Sequence, residues 1–270
     1  MILKAAVVQL NASPNIEDNL RQAESLIRTA AREGATFIAT PENTCRMRAS
    51  IEDKWAASFE QDQHPAIPFF SELAQELGVK LLIGSISSIR VGDHKLANRS
   101  LLFGKEGQII ASYDKMHMFD VDLPNGDKYR ESDTNQAGDE IVLADAGRVK
   151  IGMSICYDVR FPQLYRQLAQ QGAEILTIPA AFTVPTGQAH WEVLLRARAI
   201  ESGAFVLASA QVGLHDGGRA TYGHSMIINP WGQILAEIQG DGTGFAVAEL
   251  DLAEVAKARS AIPAILHDRF

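Results

Sequence analysis

The segment VKIGMSICYDVRFPQLYR, residues 149–166, joins a mostly apolar run to a turn and then to helix-forming residues. Residues 149–155 read as a buried strand. A sharp turn carries Cys156, and a helix is expected over 162–171, closed by Gly172. A buried strand feeding a helix is the building unit of an α/β fold. A thiol at that junction is held rigidly, stands at the strand's end and lies close to helix-terminal N–H groups that favour a thiolate. Free cysteine is also among the most buried residue types, so alone it is as well a small core residue. Its meaning depends on partners elsewhere in the chain.

Working outward, the same grammar recurs on both sides. Downstream, a strand at 174–178 ends in Pro179-Ala180-Ala181-Phe182. An amphipathic helix is expected at 191–202, closed by Gly203, then a strand at 205–210 and a hairpin, 225–229 with 233–238, around Pro230-Trp231-Gly232. A strand at 244–250, a helix at 252–260 and a tail from 263 follow. Upstream, a strand at 3–10 precedes a helix capped by Asn15 or Asp18 and closed by Gly34. A strand at 36–39 then ends in Thr40-Pro41-Glu42-Asn43. A helix at 65–77, a strand at 79–86 and a hairpin, 100–103 with 108–113, complete this half. Residues 116–140, rich in Asp, Asn, Gly and Pro, read as a long irregular excursion of the kind that is usually functional. TFIATPEN (36–43) and EILTIPAAF (174–182) echo one another. Two β-α-β-α halves with antiparallel additions point to one α/β domain with mixed sheets, without fixing the number of layers.

Composition narrows the function. The 270 residues are 46% hydrophobic and 21% charged, with a formal net charge of −8. No Lys/Arg cluster is present to neutralise phosphates, so no nucleic-acid partner is expected. Two cysteines, Cys45 and Cys156, do not make a disulfide framework and suit a reducing compartment. The opening MILKAAVVQLNASPN lacks the pattern of a signal peptide, and no apolar run is long enough for a bilayer. A cytoplasmic location and no membrane partner are therefore expected. No His/carboxylate grouping has metal-ligand spacing, and the Gly-Lys-Glu-Gly at 104–107 fits a turn better than a phosphate cradle. Neither metal nor cofactor is expected.

Three strand ends deliver reactive side chains: Glu42, Lys115 and Cys156. Active sites of α/β sheets gather at such ends. A thiolate attacks a carbonyl or nitrile carbon, a carboxylate takes the thiol proton and later activates water, and an ammonium steadies the oxyanion. The spacing leaves alternatives open. Glu42 also reads as a solvated turn residue and Lys115 as a surface lysine, and His117, His190 and His224 are candidate bases.

The stretches AVVQL (6–10), PEN (41–43), YDKMHMFDVDLP (113–124), GMSICYDVRFPQLYR (152–166) and GHSMIINPWG (223–232) resemble the nitrilase, or carbon–nitrogen hydrolase, superfamily. The resemblance implies an α-β-β-α four-layer sandwich, with two mixed sheets and helices on the outer faces, in a homodimer. It also implies metal-free, cofactor-free chemistry with Glu42 as general base, Lys115 as oxyanion stabiliser and Cys156 as nucleophile. A second glutamate of the family matches Glu131, positioning Lys115 and the substrate; otherwise Glu131 is a loop carboxylate. CYDVRFPQLYR (156–166), AAFTVPTGQAHWEVLLRARAIES (180–202) and AQVGLHDGGRATYGHSMIINPWG (210–232) are similar to the Nit branch. That implies an amidase cleaving an α-ketoglutaramoyl amide: deaminated glutathione to 2-oxoglutarate and Cys-Gly, or, as an ω-amidase, 2-oxoglutaramate with release of ammonia. AHWEVLLRARAIE (189–201) and RATYGHSM (219–226) favour the former. Another nitrilase-branch hydrolase, or a scaffold of the same fold, are the competing readings.

An α-keto carboxylate needs a cation. Arg160 is the candidate, since guanidinium grips carboxylate through two hydrogen bonds; the alternative is a salt bridge to Asp158 or Glu192. Thr186, in an expected loop at 183–187, is the candidate for a further hydrogen bond, and Tyr157 for the oxyanion-binding N–H. His190, Trp191 and Glu192 are expected at a helix start. The polar loop after Glu42 carries Arg46 and Arg48, which would favour a longer substrate with a second carboxylate.

Overall fold

The apolar run near the N-terminus forms β1 (Ile2–Gln9), followed by α1 (Ile16–Arg32) and β2 (Phe37–Ala39). The computed structural model describes residues 1–47, 58–89, 95–123 and 126–269. Asn15 caps α1, its side chain accepting the Asp18 N–H at 3.3 Å. Leu20, Ala23, Ile27 and Ala30 form the buried stripe of α1, at helical spacing. The first half continues with β3 (Phe59–Glu60), α2 (Ala66–Leu77), β4 (Lys80–Ile89), β5 (Leu96–Phe103) and β6 (Ile109–Asp114). Then comes a small hairpin of β7 (Asp120–Asp122) and β8 (Lys128–Arg130). The second half holds β9 (Leu143–Asp145), β10 (Lys150–Met153), α3 (Pro162–Gln170), β11 (Ile175–Thr177), α4 (Val184–Ser202) and β12 (Phe205–Ala208). A hairpin of β13 (Val212–Leu214) and β14 (Ala220–Tyr222) precedes β15 (Met226–Ile228), β16 (Ile234–Glu237), β17 (Gly244–Asp251) and α5 (Ala253–Ala261).

Two main sheets result, in the orders β17-β1-β2-β4-β5-β6 and β16-β15-β12-β11-β10-β9. Each has three parallel central strands, β1/β2/β4 and β10/β11/β12, with antiparallel strands on both sides. The two halves thus repeat one plan. Strand pleating then sets the layers. In the first sheet Ala5, Val7, Phe37, Ala39, Leu82 and Leu102 face the second sheet. The alternate residues Ala6, Val8, Ile38, Leu81, Ile83 and Leu101 pack on α1 and α2. α3 and α4 cover the second sheet through Leu164, Leu168, Trp191, Leu195 and Ala199. The fold is the four-layer α-β-β-α arrangement expected from the resemblance.

Three local expectations change. The 116–140 excursion is not wholly irregular: Val121 pairs with Tyr129 in the β7–β8 hairpin, and Glu131–Asp133 forms one 3-10 turn. β5 begins at Leu96, so polar Asn98 and Arg99 belong to the sheet. α4 starts at Val184, so the 183–187 loop is largely helical and His190, Trp191 and Glu192 lie inside the helix. Pro185 and Gly187 read as turn residues, but proline is tolerated in a first helical turn. Gly187 is needed because a Cβ there would lie 2.3 Å from the Tyr222 side chain. Nor is α4 polar outside and apolar inside: Arg198 is buried, its Nε donating to Val159 O at 2.8 Å, while Val193 and Ile200 are exposed.

Candidate active site

The turn after β2 is fixed before its side chains are considered. The Asn43 and Thr44 N–H groups donate to Ser85 Oγ and Ser85 O, at 2.8 and 3.1 Å, and Thr40 Oγ1 and Thr44 Oγ1 are 2.7 Å apart. The turn lies directly on β4 at Gly84, where an added Cβ would sit 2.2 Å from Thr40 O and 2.4 Å from the Pro41 carbonyl carbon. Glu42 therefore projects inward and is 4% exposed. Lys115 follows β6, with its N–H on Asn98 O at 3.0 Å, and is 2% exposed. Cys156 opens the 3-10 turn Cys156–Arg160 in the left-handed region, at φ 51°, its N–H donating to Pro179 O at 2.8 Å. A non-glycine residue holds that conformation only when its surroundings over-determine it.

Asp158 supplies much of that determination. Its Oδ2 accepts from Ile155 N–H at 2.8 Å and from Tyr113 OH at 2.7 Å. Its Oδ1 lies 3.0 Å from His117 N and 2.7 Å from His117 Nδ1. One buried carboxylate thus ties the cysteine turn to residues on either side of Lys115.

The side chains then converge. Lys115 Nζ is 3.1 Å from Glu42 Oε1 and 2.7 Å from Glu131 Oε2. Asn98 Nδ2 bridges the same carboxylates, 2.8 Å from Glu42 Oε1 and 3.2 Å from Glu131 Oε1. Ala181 N–H donates to Glu42 Oε2 at 2.9 Å, and Phe119 N–H to Glu131 Oε2 at 2.8 Å. Burial works against the Lys115 ammonium, but Glu131, Glu42 and Cys156 outweigh it and hold its pKa well above the ordinary value. Burial likewise opposes the Glu131 carboxylate, yet Lys115 and the donors of Phe119 and Asn98 keep its pKa low. The Cys156 thiol is pushed up, first by burial and then by the Glu42 charge, with Lys115 and Ala181 N–H acting in the opposite sense. The Glu42 carboxyl group stands beside the Cys156 thiol, where it is positioned to take its proton.

Glu42, Lys115, Glu131 and Cys156 share one cavity of about 320 Å³, and Tyr157 and Thr186 also line it. Thr186 sits in the first turn of α4, its Oγ1 2.8 Å from Thr183 Oγ1. Arg160 is not in the wall. It stacks behind it, 5.3 Å from the centre of the Phe182 ring and 5.8 Å from that of Tyr157, with Nη1 3.3 Å from His190 Nδ1. Neither salt bridge weighed for it forms: Asp158 serves Tyr113 and His117, and Glu192 pairs with Arg196 at 3.0 Å. Arg46 lines the cavity, whereas Arg48 lies outside the described residues. Cys45 is buried against α1 and its thiol is pushed up by burial alone.

No histidine lines this cavity among the described residues. His117 stacks on Phe161 with ring centres 3.6 Å apart, and His224 binds Glu237 at 2.8 Å. No group of three His, Cys, Asp or Glu side chains suited to a metal ion occurs among the described residues. Sequence reasoning missed Asn98, Asp158 and Arg219. Asn98 fell outside the expected strand because Ala97-Asn98-Arg99 interrupts its apolar run. Arg219, on the hairpin before β14, carried no periodicity signal, and it lines the cavity.

Comparison with known proteins agrees with this architecture. Residues 4–260 match the family model described as Carbon-nitrogen hydrolase. The chain is 41% identical over 274 residues to a deaminated glutathione amidase of Synechocystis, covering 98% of each. It is 40% identical to those of Yersinia enterocolitica and Mus musculus, covering 98% of this chain and 92% and 82% of theirs. Saccharomyces cerevisiae Nit3, a member of branch 10 of the nitrilase superfamily, superposes with a TM-score of 0.89 at 30% identity, over 100% of this chain and 97% of that one. The Caenorhabditis elegans NitFhit protein superposes at 0.91 and 33% identity, over 99% of this chain, which spans 65% of that longer protein. With its sequence matched almost end to end and its reactive side chains gathered between two stacked sheets, the chain belongs to the carbon–nitrogen hydrolase family.

Proposed function

We propose that the protein is a thiol amidase acting on α-ketoglutaramoyl amides, with deaminated glutathione as substrate and 2-oxoglutarate and Cys-Gly as products. The observation that carries this reading is the buried Glu42 carboxylate, held by Lys115, Asn98 and Ala181 N–H beside the Cys156 thiol. The names of the relatives at about 40% identity support the substrate.

In this reading Glu42 takes the thiol proton as Sγ attacks the amide carbon, and the carbonyl electron pair moves to oxygen. Lys115 Nζ and the Tyr157 N–H hold that oxyanion. Glu42 returns the proton to the amide nitrogen, the C–N bond breaks and the amine leaves, giving a thioester on Cys156. Water then gives a proton to Glu42 while its oxygen attacks the thioester. The oxyanion's electron pair returns to re-form the carbonyl, the C–S bond breaks as Glu42 gives its proton to the sulfur, the acid leaves, and the thiol and the Glu42 carboxylate are restored. Glu131 and Asn98 position Lys115 and Glu42. Arg160 and Thr186 lie on the Phe182 side of the cavity and receive the α-keto carboxylate, Arg160 by turning from its stack on Phe182.

Measuring kcat/KM for deaminated glutathione and for 2-oxoglutaramate at matched enzyme concentration tests the substrate. The first is expected to be turned over faster; a clear preference for 2-oxoglutaramate would make the protein an ω-amidase instead. The homodimer is proposed to form across the exposed apolar residues Val193 and Ile200 of α4 and Trp231 and Leu235 of the β15–β16 hairpin, next to each other where Gly232 meets Ile200. Sedimentation reads this directly, and a monomer at micromolar concentration counts against it. A cytoplasmic location fits chemistry at a free thiol; among the described residues no helix is long and apolar enough to cross a membrane.

A further inference from the structure

Two arginines in the cavity wall have no role in the chemistry above. Arg219 donates from Nη2 to Ala181 O at 2.7 Å, and its guanidinium lies over the Tyr129 ring, 5.5 Å from its centre. Arg46 stands four residues beyond Glu42, on the same turn. In both, Nε is buried without a hydrogen-bond partner among the described residues. Neither pairs with a carboxylate there, whereas neighbouring arginines do: Arg99 with Asp114 at 2.6 Å, and Arg130 with Asp122 at 2.9 Å. A guanidinium that has no carboxylate partner and has a donor left unpaired in a partly buried wall is suited to an anion.

Charge and position say which anion. Glu42, Glu131 and the Lys115 ammonium together leave the cavity floor with one net negative charge while Cys156 is a thiol. That floor repels an anionic substrate unless cations answer it, and Arg46 and Arg219 do so. Both lie on the Glu42 side. Arg46 continues the Glu42 turn, and Arg219 binds the carbonyl of Ala181, the residue whose N–H holds Glu42 Oε2. Glu42 protonates the departing nitrogen, so this is where the leaving amine lies. The acyl half is left to Thr186, which also lines the cavity, and to Arg160 behind Phe182.

We propose that Arg219 and Arg46 bind a carboxylate on the leaving amine, so that the site selects amides whose leaving group is a short peptide acid over those that release ammonia or an uncharged amine. The proposal rests on the amidase reading and deepens it. It assigns discrimination to the leaving-group side, where the sequence had offered only the loop after Glu42.

The test compares α-ketoglutaramoyl-Cys-Gly with the same compound ending in a carboxamide. The wild-type enzyme is expected to prefer the acid by about 10- to 100-fold in kcat/KM, the range of a charge-assisted hydrogen-bonded pair. Arg219→Gln, and more fully Arg219→Gln combined with Arg46→Gln, is expected to bring that ratio close to one, mainly by raising KM for the acid. Arg219→Lys is expected to restore part of it. A purely structural arginine would lower both activities together and leave the ratio unchanged, and that result would overturn the proposal. So would a wild-type enzyme that hydrolyses both compounds equally well, with the amidase reading intact. A wild-type enzyme inactive on both, yet active on another amide, would instead overturn the substrate reading beneath it.

Discussion

Changing Glu131 to Gln removes one charge from a buried trio and leaves its shape almost intact. In the native site Lys115 Nζ lies 2.7 Å from Glu131 Oε2 and 3.1 Å from Glu42 Oε1. At an effective dielectric of about 20 these attractions are worth ~6 and ~5 kcal/mol gross. A glutamine oxygen placed at Oε2 keeps the acceptor for Nζ and for Phe119 N–H. Its NH2 group then faces Asn98 Nδ2, which donates to Oε1 at 3.2 Å in the native site, so donor meets donor. Turning the Asn98 amide over does not relieve this, because Asn98 Oδ1 would then face the Glu42 carboxylate in place of Nδ2. The retained hydrogen bonds, and the 16% exposure of the Glu131 side chain, discount the gross figure. A net cost of about 2–3 kcal/mol in stability remains, a little below the range for breaking a buried ion pair.

Activity falls for a related reason. With Glu131 neutral, the ammonium is drawn toward Glu42, which ties up the base and moves the oxyanion donor. A displacement of about 1 Å at such a group costs on the order of 100-fold in kcat. The pH dependence identifies the cause. Glu131 has a folded pKa below its ordinary 4.5, so its stabilising effect is present above pH 4.5 and is lost as pH falls through the folded value. Lys115 has a folded pKa above its ordinary 10.5, so its contribution is present below pH 10.5 and is lost only as pH rises through the folded value. Denaturant unfolding of wild type and Glu131→Gln should therefore show a constant stability gap from about pH 5 to 9, shrinking below. A gap that does not shrink on acidification, or a kcat within threefold of wild type, would refute the argument.

Three further outcomes follow from the same geometry. Cys156→Ala should abolish turnover while leaving the fold intact by circular dichroism, and the remaining Cys45, 2% exposed, should resist alkylation in the native state; residual turnover would remove Cys156 as nucleophile. Gly84→Ala drives a Cβ to 2.2 Å from Thr40 O, so it should cost about 1–3 kcal/mol and lower kcat by shifting Glu42; native-like stability and activity would show that the turn yields freely. Asp158→Asn sets an NH2 group against N–H or O–H donors now served by the carboxylate, so unfolding should come about 2–4 kcal/mol more easily, and an unchanged melting temperature would contradict the clamp described for Asp158.

The strands and helices were legible wherever burial imposed a period. Residues 3–10 and 149–155 read as buried strands because neither face of a parallel centre meets water, and β1 and β10 lie there. The α1 stripe and its Asn15 cap were legible for the same local reason. What failed was governed by pairing and packing between elements rather than by the pattern within one. β5 reaches back to Leu96 because the first sheet pairs it with β4 through Ser88↔Ala97 and Ile89↔Leu96, whatever its polarity. The first turn of α4 forms over Pro185 and Gly187 because the β13–β14 hairpin packs there, through Tyr222 against Gly187. Tyr222 lies 35 residues from Gly187, and the β4–β5 pairs, though only seven to nine residues apart, are set by the sheet and not by the polarity of the strand itself.

The site was legible in its reactive groups and opaque in its geometry, and the repeated plan of the two sheets explains the division. Glu42 follows β2 and Cys156 follows β10, central strands of different sheets, while Lys115 follows β6 at the edge of the first. The two echoing turns, 40–43 and 179–182, follow equivalent strands and meet across the sandwich, where Ala181 N–H reaches Glu42 Oε2. Ser209 Oγ, just beyond β12, donates to Ala39 O at 2.9 Å in the same seam. The carboxylate of one half is thus oriented by the backbone of the other. Neither half alone places a base beside a thiol, so loosening the inter-sheet seam should cost activity before it costs secondary structure. A sequence shows which groups each half brings to the seam; only the folded structure shows that Asn98 spans two carboxylates and that Arg219 closes the wall over Ala181.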